Sequence, residues 1–160
     1  MPNWCMNDVL ISGPKEKVNN LYNEIMDAGG LLCVMSPSDK DAIESWGTKW
    51  DVDPENLSIE EEKDIAVISG TVDSAWSPPV EAFQTFLETN PDCIAELRYY
   101  ESGMEFIGMF TNGKNEYYEY DSNDIRSLDS IPKDLVEHFA LDEEIQMNFE
   151  ENDEVWEDEY

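Results

Sequence analysis

Basic side chains are scarce in this sequence of 160 residues: nine lysines and arginines face 38 aspartates and glutamates, a formal net charge of −29. A direct nucleic-acid binder needs a basic patch to displace counterions from phosphate, and so few scattered cations do not supply one. An anionic membrane surface is disfavoured for the same reason. Histidine occurs once, at His138. A Ser–His or Cys–His catalytic pair would have to use it. No nucleophile motif such as G-x-S-x-G accompanies it, so a structural histidine and a non-enzymatic protein are expected. Cys5, Cys33 and Cys93 are odd in number, far apart and without a C-x-x-C spacing, which argues against a disulfide framework or a zinc site. No metal and no cofactor are expected. No apolar run approaches the ~18 residues that span a bilayer. The opening residues, Met1 to Leu10, lack the basic region of a secretory signal. The expectation is a cytoplasmic protein with reduced thiols.

Apolar residues make up 41% of the chain and aromatics 11%, too many for a wholly disordered acidic polymer. The length suits one domain with an appendage. Trp4 to Ser12 alternates and carries Val9 and Ile11, which predicts a strand. Pro14 suits the first turn of a helix. Val18, Leu21, Tyr22, Ile25 and Met26 then follow at helical spacing, and Gly29-Gly30 ends the helix. Leu31 to Met35 reads as a short strand, and Ser36 to Ser45 as a loop that could hold a helical turn. An acidic connection runs on to Asp64. Ile65 to Val72 predicts a second strand. Ser77 as N-cap and Pro78 as first residue open a helix with Val80, Phe83, Phe86 and Leu87 on its buried stripe. Ile94 to Tyr100 and Met104 to Thr111 flank the turn Glu101-Ser102-Gly103. Asn112-Gly113 is a second turn signal, Asn115 to Tyr120 one more strand, and Ile131 to Leu141 a short helix.

Two βα units beside an antiparallel hairpin predict an α+β fold: a ferredoxin-like split βαβ sandwich, a mixed or antiparallel sheet with helices on one face. The domain is expected to span 1–121, with an acidic C-terminal extension carrying a short helix over 122–160.

Four ordered blocks stand out. They are Asn3-Trp4-Cys5-x-Asn7 with Ser12-Gly13-Pro14, Trp46-Gly47-Thr48-Lys49-Trp50-Asp51, Ala75-Trp76-Ser77-Pro78-Pro79, and Tyr100-Glu101-x-Gly103-x-x-Phe106-x-Gly108. In this order and spacing the chain resembles the YubB ferredoxin-like domain family of phage and plasmid proteins, over roughly residues 1–111. The resemblance implies a ferredoxin-like fold and a mobile-element origin. It implies no reaction and no catalytic residues.

Two candidate sites follow from the residues. Trp4, Trp46, Thr48, Lys49, Trp50 and Trp76 would line a ligand or nucleotide pocket, with Lys49 as its cation. The plainer reading is that these aromatics lock the long connection after Trp46 onto the sheet. Gly47-Thr48-Lys49 lacks the upstream glycine of a P-loop. Asp51, Asp53 and Glu55 with Glu62 imitate EF-hand spacing, but Asn56 stands where that motif needs glycine, and Pro54 intrudes. A solvated acidic loop is expected there.

The second candidate site is the acidity itself. Residues 141–160 hold Asp142, Glu143, Glu144, Glu150, Glu151, Asp153, Glu154, Glu157, Asp158 and Glu159 and no basic residue, with Ile145, Met147, Phe149, Val155, Trp156 and Tyr160 interleaved. A solvating tail needs no tryptophan, whereas an element that docks does. Glu55, Glu60, Glu61, Glu62 and Asp64 are the next candidates. A compact chain of this length is ~40 Å across, and duplex DNA of that length carries about 24 charges. The expected function is therefore a small phage-type inhibitor that binds a basic, nucleic-acid-binding host protein through acidic surface: a DNA mimic or anti-defence factor. Carboxylates gathered on one face would favour mimicry. An even spread would favour salt adaptation or solubility.

Overall fold

The computed structural model describes residues 3–37 and 41–147. The centre of the molecule is β1 (Trp4–Pro14), which is followed by α1 (Lys15–Ala28), α2 (Leu32–Met35) and α3 (Ala42–Trp46). The chain continues through β2 (Ser58–Glu62), β3 (Ile65–Ala75), α4 (Val80–Thr89), β4 (Ile94–Glu101), β5 (Phe106–Thr111) and β6 (Lys114–Glu119). A 3₁₀ helix (Ile125–Ser130) and α5 (Lys133–His138) complete the named elements. The strands form one sheet in the order β2-β3-β1-β4-β5-β6, and every pairing is antiparallel. The fold is thus α+β, and the sheet is antiparallel rather than mixed.

Alternation sets the inner face. Cys5, Val9 and Ile11 of β1 are buried, and Ile11 lies opposite Ile68 of β3 and Ala95 of β4. The apolar stripe of α1 covers these positions through Val18 and Ile25, and α4 does so through Ala82, Phe83 and Phe86. Gly29 ends α1 with φ +69°, and its N–H is donated to the Ile25 carbonyl, a left-handed stop that glycine adopts without strain.

Three local expectations are corrected. Leu31 to Met35 is not a strand. Leu32 and Cys33 donate their N–H groups to the Asp51 carboxylate at 2.7 and 3.1 Å, which satisfies the orphan donors of a helical turn. The second main helix starts at Val80, after Pro79, and not at Pro78. The Ser77 hydroxyl, expected as its cap, instead donates to the Gly47 carbonyl. Part of the supposed acidic connection is strand β2, paired with β3 from Ser58↔Ser69 to Glu62↔Ile65. Its glutamates have poor strand propensity, but charged residues suit an edge strand because they discourage pairing with other chains.

The helices occupy both faces of the sheet, not one. A second apolar cluster joins Ile107 of β5 to Tyr120, Leu128, Ile131, Leu135, Val136, Leu141 and Ile145, with Tyr100, Met109 and Tyr118 packed against it. The sequence reason is visible in adjacent pairs. Tyr99 and Phe106 face the first core, while their neighbours Tyr100 and Ile107 face the second. Such runs mark strands covered on both sides. Residues 141–147 are helical, and Leu141 and Ile145, one helical turn apart, are both buried. Gly108 makes room where the Tyr99 ring crosses β5, since a Cβ there would lie 2.3 Å from the ring and 2.5 Å from the Glu116 carbonyl. Among the described residues no helix is long and apolar enough to cross a membrane.

Leu135 has no exposed surface. Leu135→Ala should lower unfolding free energy by about 2–4 kcal/mol in urea titrations, with one transition and an unchanged slope. Two separate transitions would mean that the second cluster is independent of the sheet.

Candidate functional site

One end of the sheet gathers most of the tryptophan-bearing blocks, and a buried polar network holds them. Asn7, with no exposed surface, donates from its side-chain amide to the carbonyls of Cys5 and Val72 at 3.1 and 3.2 Å and to Ser74 Oγ at 2.9 Å. The Ser74 hydroxyl donates to the Ser77 carbonyl at 2.7 Å, and the Ser77 hydroxyl to the Gly47 carbonyl at 2.5 Å. Thr48, also fully buried, donates to the Ala75 carbonyl at 2.8 Å. Hydrogen bonds thus connect β1 through β3 and its outgoing turn to the 46–50 loop. Trp76 sits at φ +72°, a region that costs a side-chain-bearing residue strain. Its N–H donation to the Asn3 carbonyl at 2.8 Å holds it there. Burial pushes the Cys5 thiol up to about 12, so it stays protonated and inert.

The predicted pocket residues divide accordingly. Thr48 and Trp46 face the structure: the Trp46 indole N–H is donated to the Ser36 carbonyl at 3.0 Å. Trp4, Trp50 and Trp76 remain 55%, 46% and 41% exposed, which is what separates them from the locking residues. Trp4 and Trp50 meet with ring centroids 6.3 Å apart, and Lys49 Nζ lies 5.1 Å from the centre of the Trp50 ring, within cation–π range. The result is an open ledge, not an enclosed pocket. Beside it a hollow of about 340 Å³ is lined by Trp4, Asp53, Glu55, Asn56 and Asp73 among others.

The EF-hand-like carboxylates are used otherwise. Both oxygens of Asp51 accept from backbone N–H groups, those of residues 32, 33 and 52. Asp53 accepts from the N–H of Glu55 within its own turn. Among the described residues no three metal-ligating side chains cluster.

The predicted acidic contacts do not converge. Glu60, Glu61 and Glu62 are exposed on edge strand β2. Glu61 is bound on the helix side by Lys15 at 3.2 Å and Asn19 at 2.7 Å; these partners, Asn19 foremost, hold its carboxyl below the ordinary range. Glu55 and Asp64 are exposed on the segments flanking β2. Asp142, Glu143 and Glu144 are exposed on the helical segment 141–147. Glu144 accepts from the Tyr100 hydroxyl of β4, three strand spacings of ~4.8 Å from β2. Tyr100 stacks on Phe139 and Tyr120 at 5.4 and 6.4 Å. Burial above all, then the nearby Glu144, pushes its hydroxyl well above the ordinary tyrosine range. Burial likewise pushes Tyr120 up to about 12. Glu150, Glu151, Asp153, Glu154, Trp156, Glu157, Asp158 and Glu159 lie outside the described residues.

Sequence reasoning missed the uncovered half of the second sheet face. Met6, Leu10, Ile65 and Ile94 point outward there and are 37–51% exposed. At its border, where α5 ends, His138 Nε2 meets the Asp8 carboxylate. Asp8, Leu10, Glu96, Arg98 and His138 share a shallow depression of about 270 Å³. The signal was present in β1, whose two alternating sets, Cys5/Val9/Ile11 and Trp4/Met6/Leu10, are both largely apolar.

Comparison with known proteins finds no matching family model, no similar curated protein and no similar solved structure.

Asn7→Ala leaves the Ser74 hydroxyl and the Val72 carbonyl without their donor. It should cost about 1–3 kcal/mol and raise acrylamide quenching of tryptophan emission as the 46–50 loop loosens. Unchanged stability and quenching would show that the network does not hold the loop.

Proposed function

We propose that this chain is a ferredoxin-like, non-enzymatic protein of the YubB type that binds a basic host protein through its acidic surface and so inhibits it. The β-α-β-β-α-β order of the first six major elements, with sheet order β2-β3-β1-β4, supports the ferredoxin-like reading. The observation that carries the functional reading is uncompensated surface charge. Of the acidic residues described, Glu101 alone is buried. Its carboxylate accepts from the N–H groups of Gly103 and Met104 and serves the turn between β4 and β5. Among the described residues, ion pairs engage Glu61, Asp92, Glu116, Asp124 and Asp8. With 38 carboxylates against nine lysines and arginines, most of the acidic surface has few cations near it, so the protein projects a strong negative field.

That field steers a basic partner and competes with nucleic acid for it. Carboxylates occur on both sheet faces, on α1 and α4 and on the C-terminal segments. This spread speaks against an imitated phosphate row and favours salt adaptation or solubility as the cause of the acidity, so the binding reading rests on field strength and local contacts alone. A mobile-element protein acting in the host cytoplasm against a DNA- or RNA-directed defence fits this chemistry.

Because Ile145 is part of the second core, the informative truncation ends after Met147 rather than before Asp142. Loss of residues 148–160 should weaken capture of basic host proteins at low salt and flatten its salt dependence, with duplex DNA competing in both cases. Capture that is equally strong and equally salt-sensitive would remove the tail from the contact surface.

The exposed Trp4–Trp50 pair beside Lys49 favours a second reading, a ledge on which a planar anion such as a nucleotide stacks. In that case a nucleotide panel should quench tryptophan emission saturably, and Lys49→Ala should weaken the effect about tenfold. Absence of saturable quenching disposes of this reading.

A further inference from the structure

The second face of the sheet is half covered. Over β4, β5 and β6 it is closed by α5 and the helical residues 141–147, whose Leu135, Leu141 and Ile145 pack against Ile107. Over β2, β3 and β1 and the start of β4 none of the described helices covers it. Register places the open residues in neighbouring rows. Asp73 lies beside Met6, Thr71 beside Asp8, Ser69 beside Leu10, and Val67 beside Ser12. Across β1, Leu10 lies beside Glu96 and Ser12 beside Ile94. The floor is mixed: Met6, Leu10 and Ile94, exposed at 44%, 37% and 51%, and half-buried Val67 are interleaved with Asp8, Ser12, Ser69 and Thr71. Trp4 closes one end, above the hollow that it shares with Asp53, Glu55 and Asp73.

The charged groups around this floor are nearly all of one sign. Glu60, Glu62, Asp73 and Glu96 point to this face by register, and none of them has an ion-pair partner among the described residues. Asp8 is engaged by His138. Arg98 is the one basic residue in the four strands, and it stands directly opposite Asp8. This surface of exposed Met6, Leu10 and Ile94 among polar neighbours, bordered by carboxylates without ion-pair partners among the described residues, disfavours a second copy of this equally acidic chain. It disfavours the acidic residues 148–160 as well. It matches a partner whose apolar residues are flanked by cations.

We propose that the open face of β2-β3-β1-β4 is a docking surface for a basic amphipathic helix of a partner protein. The helix lays its apolar stripe on Met6, Leu10, Val67 and Ile94, and its lysines and arginines meet Glu60, Glu62, Asp73 and Glu96. A helix is the fitting element because helices already close the adjoining half of the same face. One cation of the partner enters the hollow lined by Trp4, Asp53, Glu55 and Asp73. This proposal rests on the reading of the protein as a binder of basic surfaces, and it locates the contact on the sheet instead of the C-terminal segment.

The test uses the full chain and a fluorescein-labelled leucine–lysine peptide with helical periodicity. A peptide of the same composition in scrambled order and an oligolysine of equal charge serve as comparison probes. The amphipathic peptide should bind most tightly and shift amide resonances of β1, β3 and the start of β4. Leu10→Ser with Ile94→Ser, which changes no charge, should weaken it about tenfold. Asp142→Asn with Glu143→Gln should change it less than about twofold. The resonance map on the unsubstituted chain keeps the test valid if the double variant folds poorly. If scrambled peptide and oligolysine bind as tightly as the amphipathic peptide, and the shifts fall on 121–147 or are diffuse, the docking face is overturned while the acidic-binder reading stands. If none of the cationic probes binds at low salt, both are overturned.

Discussion

Asn7 is a polar side chain with no exposed surface, set in a central strand of the sheet. A buried amide of this kind costs stability unless its donors are used. Here they tie β1 to β3 and, through Ser74 and Ser77, to the loop that carries Gly47 and Thr48. The arrangement of the exposed tryptophans depends on this chain of bonds. Trp4 precedes Asn7 on β1, Trp50 follows Thr48, and Trp76 lies between Ser74 and Ser77. Three segments far apart in sequence therefore present their rings at one end of the sheet because small polar residues beside each ring are satisfied by one another. Thr48 and Trp46 are held by hydrogen bonds into the structure, while Trp4 and Trp50 pack on each other and, like Trp76, keep about half their surface exposed.

Net charge sets the second constraint. Self-repulsion among so many carboxylates opposes compaction, and two apolar clusters on opposite faces of one sheet counter it. The second cluster recruits residues from Tyr120 to Ile145, so part of the acidic C-terminal stretch is carried by a helix whose buried side is apolar. Leu141 and Ile145 point in while Asp142 and Glu143 are exposed, and Glu144 at the border accepts from the Tyr100 hydroxyl. Acidity and packing are thus divided by helical periodicity within the same few residues. Among the described residues the coverage stops short of β1, and what it leaves open combines exposed aliphatic side chains, polar residues and carboxylates without ion-pair partners. On the proposed reading, that pairing of properties gives a general negative field a surface with a preferred partner chemistry.

Much of the architecture is legible in the chain. The strands expected at 4–12, 65–72, 94–100 and 104–111, the last of which starts at Phe106, the two long helices and the turns at Glu101 and Asn112 follow from period and from glycine and proline placement. Local signals failed where a distant group decided the conformation. Leu31 to Met35 has an apolar run suited to a strand, yet the Asp51 carboxylate, far along the chain, caps it as a helical turn. Ser58 to Glu62 is mostly glutamate and has little strand propensity of its own. Burial of Leu57 in the first core brings it to the sheet edge, and pairing with β3 makes it a strand.

Composition and spacing were sufficient for the class of fold, the strand and helix periods and the sign of the surface charge, because these depend on residue type and on neighbours a few positions away. Tertiary structure decided which tryptophans are locked and which are free, where the acidic residues stand relative to one another, and which half of the second sheet face is covered. These depend on register and on hydrogen bonds between segments as distant as Asn7 and Ser74. Burial of a side chain is a property of what packs on it, and alternation along β1 names two faces without saying which of them the rest of the chain will close.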